Sequence, residues 1–339
     1  MRGLSISSVA REVRGGAKRP TKAVNRRSLL IAFGLSFAIL DTARSERVLI
    51  TILTGSTNGV YYPLGTTLSS IYTRAVPEAF VTVQATEGSV ENLRLLEAGE
   101  GELAFTLGDA LADAWAGNKA AGFAAPLRKL RAIAKIYPNF VQVVASNRSG
   151  IQTLADLKGK KVSVGPRGSG TELNAVAIFK AAGFGFSDLA KVDYSPFGNS
   201  ARLVITGELD ATLQSAGLGV ESIRHLLASG RATLIPIPAE VVAKVRSPVY
   251  VAATIPANTY DGQTADVTTA SIPNFLVTRV GVNSDIAYLM TKSLFDQLDR
   301  LVLTHPAAKG ISIGTAATDL PIPLHPGAER YYRETGVLK

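Results

Sequence analysis

A chain of 339 residues, 46% hydrophobic and 19% charged, can bury a core of its own and is long enough for about two domains. Its formal charge of +9 is uneven: residues 1–45 hold nine Lys/Arg against Glu12 and Asp41, a net of +7. Only +2 is left for residues 46–339, which argues against a nucleic-acid-binding surface, and the absence of cysteine excludes disulfides, thiolate metal sites and Cys nucleophiles.

In chain order, the first element is "NRRSLLIAFGLSFAIL", where Arg26 and Arg27 precede a 13-residue apolar run, Ser28 to Leu40. The run is shorter than the roughly 20 residues of a membrane span and reads as the apolar region of an export signal, with twin-arginine export a plausible route. Ala43 and Ser45 fit the small-residue rule for cleavage before Glu46; an uncleaved anchor is the alternative. Residues 1–45 are therefore expected to be a signal peptide, and the mature protein periplasmic.

From Arg47 the pattern turns to strand and helix. "RVLITILTG" reads as a strand, and "VYYPLGTTLSSIYTRAV" as a helix with Pro63 in its first turn. "FVTVQAT" is a second strand, and "GSVENLRLLEAGEG" a helix that Ser89 can cap, with Leu93, Leu95 and Leu96 on its buried side. "ELAFTLG" is a third strand, so the alternation predicts a parallel α/β unit. Two further strands are expected around residues 131–136 and 140–145.

A second α/β unit follows over residues 142–248: "KKVSVG", then the helix "GTELNAVAIFKAAGF", the strand "VDYSPF", and the helix–turn–strand "NSARLVITGELDATLQSAG". "VESIRHLLASG" closes it. The extended segments and long amphipathic helix after Ser247 carry no lobe of their own and are expected to return to the first unit. The expected domains are residues 46–141 plus 249–339 as one lobe and 142–248 as the other, joined by hinge strands near Val141 and Val249.

Catalysis finds little support. Neither HExxH nor GxSxG occurs, and of the three histidines His225 falls in a helical run while His305 and His325 each precede a proline. No metal site and no cofactor are expected, and the protein is read as a binder rather than an enzyme. "VSVGPRGSGTELNAV" lacks the lysine of a phosphate loop and the glycine order of a dinucleotide fingerprint. What remains is a flexible turn that aims backbone N–H groups outward at a helix start, where about half a positive charge favours an anion. A capped βα turn with no ligand is the plainer alternative.

In that turn Ser169, Gly170 and Thr171 are candidate ligand contacts. Arg167 either supplies a bidentate carboxylate contact or sits at the surface. A matching loop, "LTGSTNGVYYPLG", offers Gly55, Ser56, Asn58, Tyr61 and Tyr62, and "EGSVENL" adds Ser89 and Asn92 at a third helix start. Gln214, at the end of "GELDATLQ", completes the set. Ligands of open α/β sheets bind beyond the carboxyl ends of the strands, where such loops gather.

Together "TGSTNGVYYPLG", "GSVENLRLLEAGE", "LKGKKVSVGPRGSGTE", "GELDATL", "IPANTYDGQ" and "PIPLHPGAERYYRE" resemble the TAXI group of TRAP-transporter solute receptors, over residues 48–333. The resemblance implies an α/β, two-lobed periplasmic binding protein of the type II fold, a venus flytrap with two hinge strands. It also implies a monomer that closes on a small organic acid or amino acid, such as glutamate or 2-oxoglutarate, and delivers it to TRAP permease subunits in the membrane. Ser56, Asn58, Arg167 and Gly219 depart from the family's usual pattern. An ABC-type solute-binding protein and a ligand-binding sensor subunit are the competing readings.

Overall fold

Short β-branched runs such as "VLITIL" extend and pair, while the segments between them, apolar at helical spacing, fold back as crossover helices. The computed structural model describes residues 48–339; the export signal expected over residues 1–45 lies outside the described residues. The first half runs β1 (Val48–Leu53), α1 (Tyr61–Ala75), β2 (Ala79–Gln84), α2 (Ser89–Ala98), β3 (Leu103–Leu107), α3 (Gly108–Ala116) and β4 (Leu130–Ser146). Then come β5 (Lys161–Ser163), α4 (Gly170–Ala181), β6 (Lys191–Asp193), α5 (Phe197–Thr206), β7 (Ala211–Ala216), α6 (Glu221–Ala228), β8 (Ala232–Ile235), α7 (Ala239–Lys244) and β9 (Val251–Ile255). The chain ends with β10 (Val267–Arg279), α8 (Ser284–Asp296), α9 (Leu298–Thr304), α10 (Ile313–Ala316) and α11 (Pro326–Glu334).

The strands join in the order β2-β1-β3-β10-β4-β7-β5-β6, with β8 on β4 and β9 on β10. β1, β2 and β3 are parallel, as are β5, β6 and β7, so each lobe is an α/β unit. The long strands β4 and β10 run antiparallel to each other and pass from one lobe to the other. β4 spends its first part against β10 and its last, Phe140 to Ala145, against β7.

Three expectations change. The two strands expected around residues 131–136 and 140–145 are one continuous strand, because Pro138 lies opposite Pro273 and both missing N–H groups fall on the same rung. The chain does not recross near Val249: β9 pairs with the start of β10, the N–H of Ile237 donates to the carbonyl of Thr268, and the Tyr260 hydroxyl donates to Gln142. Residues 251–270 thus stay with the second lobe, and the return comes at Ser271–Pro273. The long C-terminal helix is broken at Gln297 into α8 and α9. α8 packs against α1 and α11.

Two buried clusters line the two sheet faces. One gathers Ile52, Leu68, Met290 and Tyr332 with Val204 and Ile223; the other gathers Leu93 and Leu111 with Ile178, Phe179 and Leu213. No helix among the described residues is long and apolar enough to cross a membrane.

Candidate functional site: a cavity between the lobes

Five helices begin where the carboxyl ends of β1, β3, β5 and β7 face one another across the lobe boundary. Val60 and Tyr61 start α1, Gly88 and Ser89 start α2, Leu107 precedes α3, Ser169 to Thr171 start α4, and Phe197 starts α5; all line one cavity of about 50 Å³. That is room for a few water-sized groups, so the lobes stand closed on it. Helix N-termini turned on one point present unpaired N–H groups and the positive ends of their dipoles.

The β5–α4 turn is built as the glycine spacing implies. Gly165 has φ +83°, and a Cβ there would come within 2.6 Å of the Thr171 methyl group. Ser169 is the N-cap of α4: its Oγ accepts from the N–H of Glu172 at 3.1 Å. Thr171 Oγ1 accepts from the N–H of Ser215 at 3.3 Å, which ties the turn to the end of β7. Ser215 Oγ, also on the cavity wall, is buried with no hydrogen-bond partner among the described residues.

In the facing lobe Ser89 does not cap α2; Gly88 is the N-cap, and Ser89 Oγ accepts instead from the N–H of Leu107 at 3.1 Å. Tyr61 stacks on Phe105, ring centroids 5.0 Å apart, and its hydroxyl donates to Asn274 Oδ1 at 2.5 Å. Burial, ahead of the charge on Asp109, pushes that phenol well above its ordinary pKa, so it stays neutral. Asn274 Nδ2 donates to the carbonyl of Tyr137 at 3.0 Å and to Asn139 Oδ1 at 2.9 Å. Asn139, on the cavity wall, thereby keeps its Nδ2 donors for whatever enters.

Of the residues singled out in the sequence, the structure brings Gly55, Ser56, Tyr61, Ser89, Ser169, Gly170 and Thr171 to the cavity. It does not bring the other five. Asn92 is fully buried on the inner face of α2, with Nδ2 donating to the carbonyls of Thr54 (2.7 Å) and Phe105 (2.8 Å) and Oδ1 accepting from Thr86 (2.7 Å). Gln214 donates to the Phe197 carbonyl and to Ser200 Oγ and accepts from Ser222, holding α5 and α6 on β7. Arg167 is exposed and lies over the Tyr194 ring, 3.6 Å from its centroid, so the cation–π contact turns it away from the cavity. Asn58 reaches across to Glu221 at 3.5 Å, and Tyr62 sits half-buried on α1 away from the wall.

Sequence reasoning missed Asn139, Ser215 and Glu87. Asn139 follows a proline that read as a strand break, and Ser215 is one small residue in a buried strand. Among the described residues Glu87 is the sole charged side chain on the wall. Burial, then the neighbouring charge of Glu91, holds its carboxyl above the usual range. No Lys, Arg or His lines the cavity among the described residues.

The lobes touch directly around this cavity. The N–H of Glu91 donates to the carbonyl of Gly168 at 3.2 Å across the boundary. A Cβ on Gly170 would lie 2.5 Å from Leu107 Cδ1 and 2.7 Å from Ser89 Oγ, so only glycine allows this approach. Among the described residues no cluster of His, Cys, Asp or Glu could hold a metal.

The fold has solved counterparts. PhnD1 of Prochlorococcus marinus (MIT 9301), in complex with methylphosphonate, is similar at a TM-score of 0.55 and 11% identity, with 86% of this chain and 100% of that one covered. The alkanesulfonate-binding protein SsuA of Xanthomonas axonopodis pv. citri bound to MOPS is similar at 0.46 and 16%, covering 85% and 84%. A Streptococcus mutans structure on glutathione import via GshT and the cystine ABC importer TcyBC is similar at 0.48 and 13%, covering 79% and 97%. The architecture is thus the two-lobed α/β fold of periplasmic solute-binding proteins, as the sequence resemblance implies. A family model matches residues 52–336, and the chain belongs to the NMT1-like family.

Proposed function

We propose that this protein is an extracytoplasmic solute receptor that closes its lobes on a small molecule with one anionic group and returns it unchanged to a membrane transporter. The convergence of five helix starts on one interlobe cavity is the observation that carries this reading. The hydroxyls of Ser169, Thr171 and Ser215 would meet the anion from the second lobe, and those of Ser56, Ser89 and Tyr61 from the first. A solute binds by closure only when it prefers the closed form, and contacts drawn from both lobes supply that preference.

The wall narrows the solute. Fractional positive charge from helix ends suits one carboxylate, sulfonate or phosphonate, whereas a second acid group would meet no cation and would face Glu87. An ammonium beside the anion would pair with Glu87. A zwitterionic amino acid therefore suits the cavity better than a dicarboxylate such as 2-oxoglutarate, and a side-chain carboxylate such as that of glutamate would have to lie away from Glu87.

Between transporter classes, the TRAP (TAXI-type) partner rests on the sequence motifs. The ABC-type partner agrees better with the proteins of similar fold, which include one tied to an ABC importer. Crosslinking the receptor to membranes and identifying the captured subunit by mass spectrometry separates them, since only an ABC system brings an ATPase. The solute itself is tested by thermal shift against amino acids, monocarboxylates, dicarboxylates, sulfonates, phosphonates and neutral sugars. A rise in melting temperature with a singly anionic or zwitterionic compound is expected. Stabilisation by neutral sugars alone overturns the reading.

A further inference from the structure

Behind the cavity, a carboxyl group that does not line it is shut between the lobes. Asp109, in the first turn of α3, is 8% exposed. Its Oδ2 accepts from Asn174 Nδ2 of α4 at 2.6 Å and from the Tyr250 hydroxyl, just ahead of β9, at 2.6 Å. Asn174 Nδ2 also donates to the Tyr250 oxygen at 2.7 Å. Asp109 Oδ1 takes the N–H of Ala110 at 2.8 Å. Asn174 and Tyr250 belong to the second lobe, so the cluster is a latch that exists only when the lobes meet.

No cation completes it. Among the described residues Asp109 forms no ion pair, although Asp109 and Tyr250 share the lining of one groove with Lys180 of α4, Lys244 at the end of α7, Arg246 beyond it and Asp113, one turn along α3. Asp113 repels a charge on Asp109, and so does any charge on Tyr61 of α1 or Tyr250, whose phenols stay neutral. When the lobes part, the carboxylate regains water. When they close, most of that hydration is exchanged for three hydrogen-bond donors and no ion pair, which disfavours the ionised form.

We propose that Asp109 is a proton-binding site of the closed receptor, so that lobe closure takes up a proton and acidification tightens solute capture. Asn174 Oδ1 is buried without a partner among the described residues; turning the amide over would bring that oxygen to the carboxyl and give the added proton an acceptor. Leu107, two residues before Asp109, lines the cavity, which couples the latch to the solute site. Burial pushes the Asp109 carboxyl up to about 6, against the opposing bonds from Tyr250 and Ala110. In the open form the group has an ordinary carboxylate value near 4. Because the closed value is the higher, closure gains from acid: the gain begins as pH falls through about 6 and is complete below about 4.

The inference rests on the solute-receptor reading only in requiring lobes that open and close, and it is tested without the solute. The chain has no cysteine, and a Cβ on Gly198 would lie 3.4 Å from Asn58 Cβ across the lobe boundary, near the roughly 3.5–4.5 Å a disulfide spans. Oxidised N58C/G198C therefore locks the closed form away from the cavity wall. With 13C-labelled aspartate, and D109N to assign the signal, the Asp109 carboxyl of the locked protein is expected to titrate near pH 6 and that of the reduced protein lower. A locked midpoint at or below about 4 overturns the proposal, and so does failure of the cysteines to crosslink, since the closed form would then be inaccessible. Either result leaves the solute screen free to succeed, just as a failed screen leaves the titration readable.

Discussion

Two polar residues close to the cavity separate fold from function. Asn92 sits on the inner face of α2 and spends its whole amide on Thr54, Phe105 and Thr86, so Asn92→Ala strips partners from buried carbonyls. The expected loss is on the order of 3 kcal/mol, read as a lower urea midpoint with an unchanged slope, while any compound that stabilises the native protein still stabilises the variant. Ser215 is the converse. Its Oγ bonds to nothing among the described residues, so Ser215→Ala should leave unfolding within about 0.5 kcal/mol of the parent and still diminish the solute-induced thermal shift. If Ser215→Ala unfolds early, or binds as the parent does, Ser215 is not a solute contact.

At the scale of elements, the close approach of α4 to α2 rests on a missing side chain. Gly170→Ala would press a methyl on Ser89 and on Leu107, at the edge of the second buried cluster, wedging the two helix starts apart. Stability of the free protein should change by less than about 1 kcal/mol, whereas solute affinity falls at least about tenfold, because capture depends on the closed form. Small-angle scattering with solute present should show the larger, open radius for the variant; a parent-like contraction would refute the wedge. Helix starts such as this one were legible in the sequence, since glycine, serine and threonine between an apolar run and a helical pattern have a local cause. Roles set by tertiary partners were not. Asn92 and Gln214 look like free donors until the strands they brace are in place, and Arg167 looks like a clamp until Tyr194 lies under it. The hinge was hidden for a related reason. Pro138 reads as a strand break, yet it faces Pro273 on one rung, and Asn274 bonds sideways to Asn139 and to the Tyr137 carbonyl where the ladder lacks donors. A ladder thin in hydrogen bonds at one rung is a natural place for the strands to bend.

Over the whole molecule, the same two strands that allow bending also merge the lobes. Each buried cluster draws residues from both halves: Tyr332 and Ile223 share one, Leu111 and Phe179 the other. β4 and β10 run through both clusters, with Ile133 and Val144 in the first and Val141 and Ile272 in the second. Unfolding one lobe would strip these strands of one side's packing and pull the pairs of β4 with β7 and β8 out of register. Residues 48–339 should therefore melt in one calorimetric transition, with an enthalpy on the order of 200 kcal/mol and a van't Hoff value that matches it. The prediction is exposed, because chains of this length commonly unfold in steps. Two resolved peaks, or a calorimetric enthalpy about twice the van't Hoff value, would mean that the lobes are independent bodies on a tether. Closure would then be their collision rather than the flexing of one cooperative unit about Pro138 and Pro273. A stabilising solute discriminates further: in a single unit it moves the one peak as a whole, and in a tethered pair it broadens or splits the melt as each lobe responds for itself.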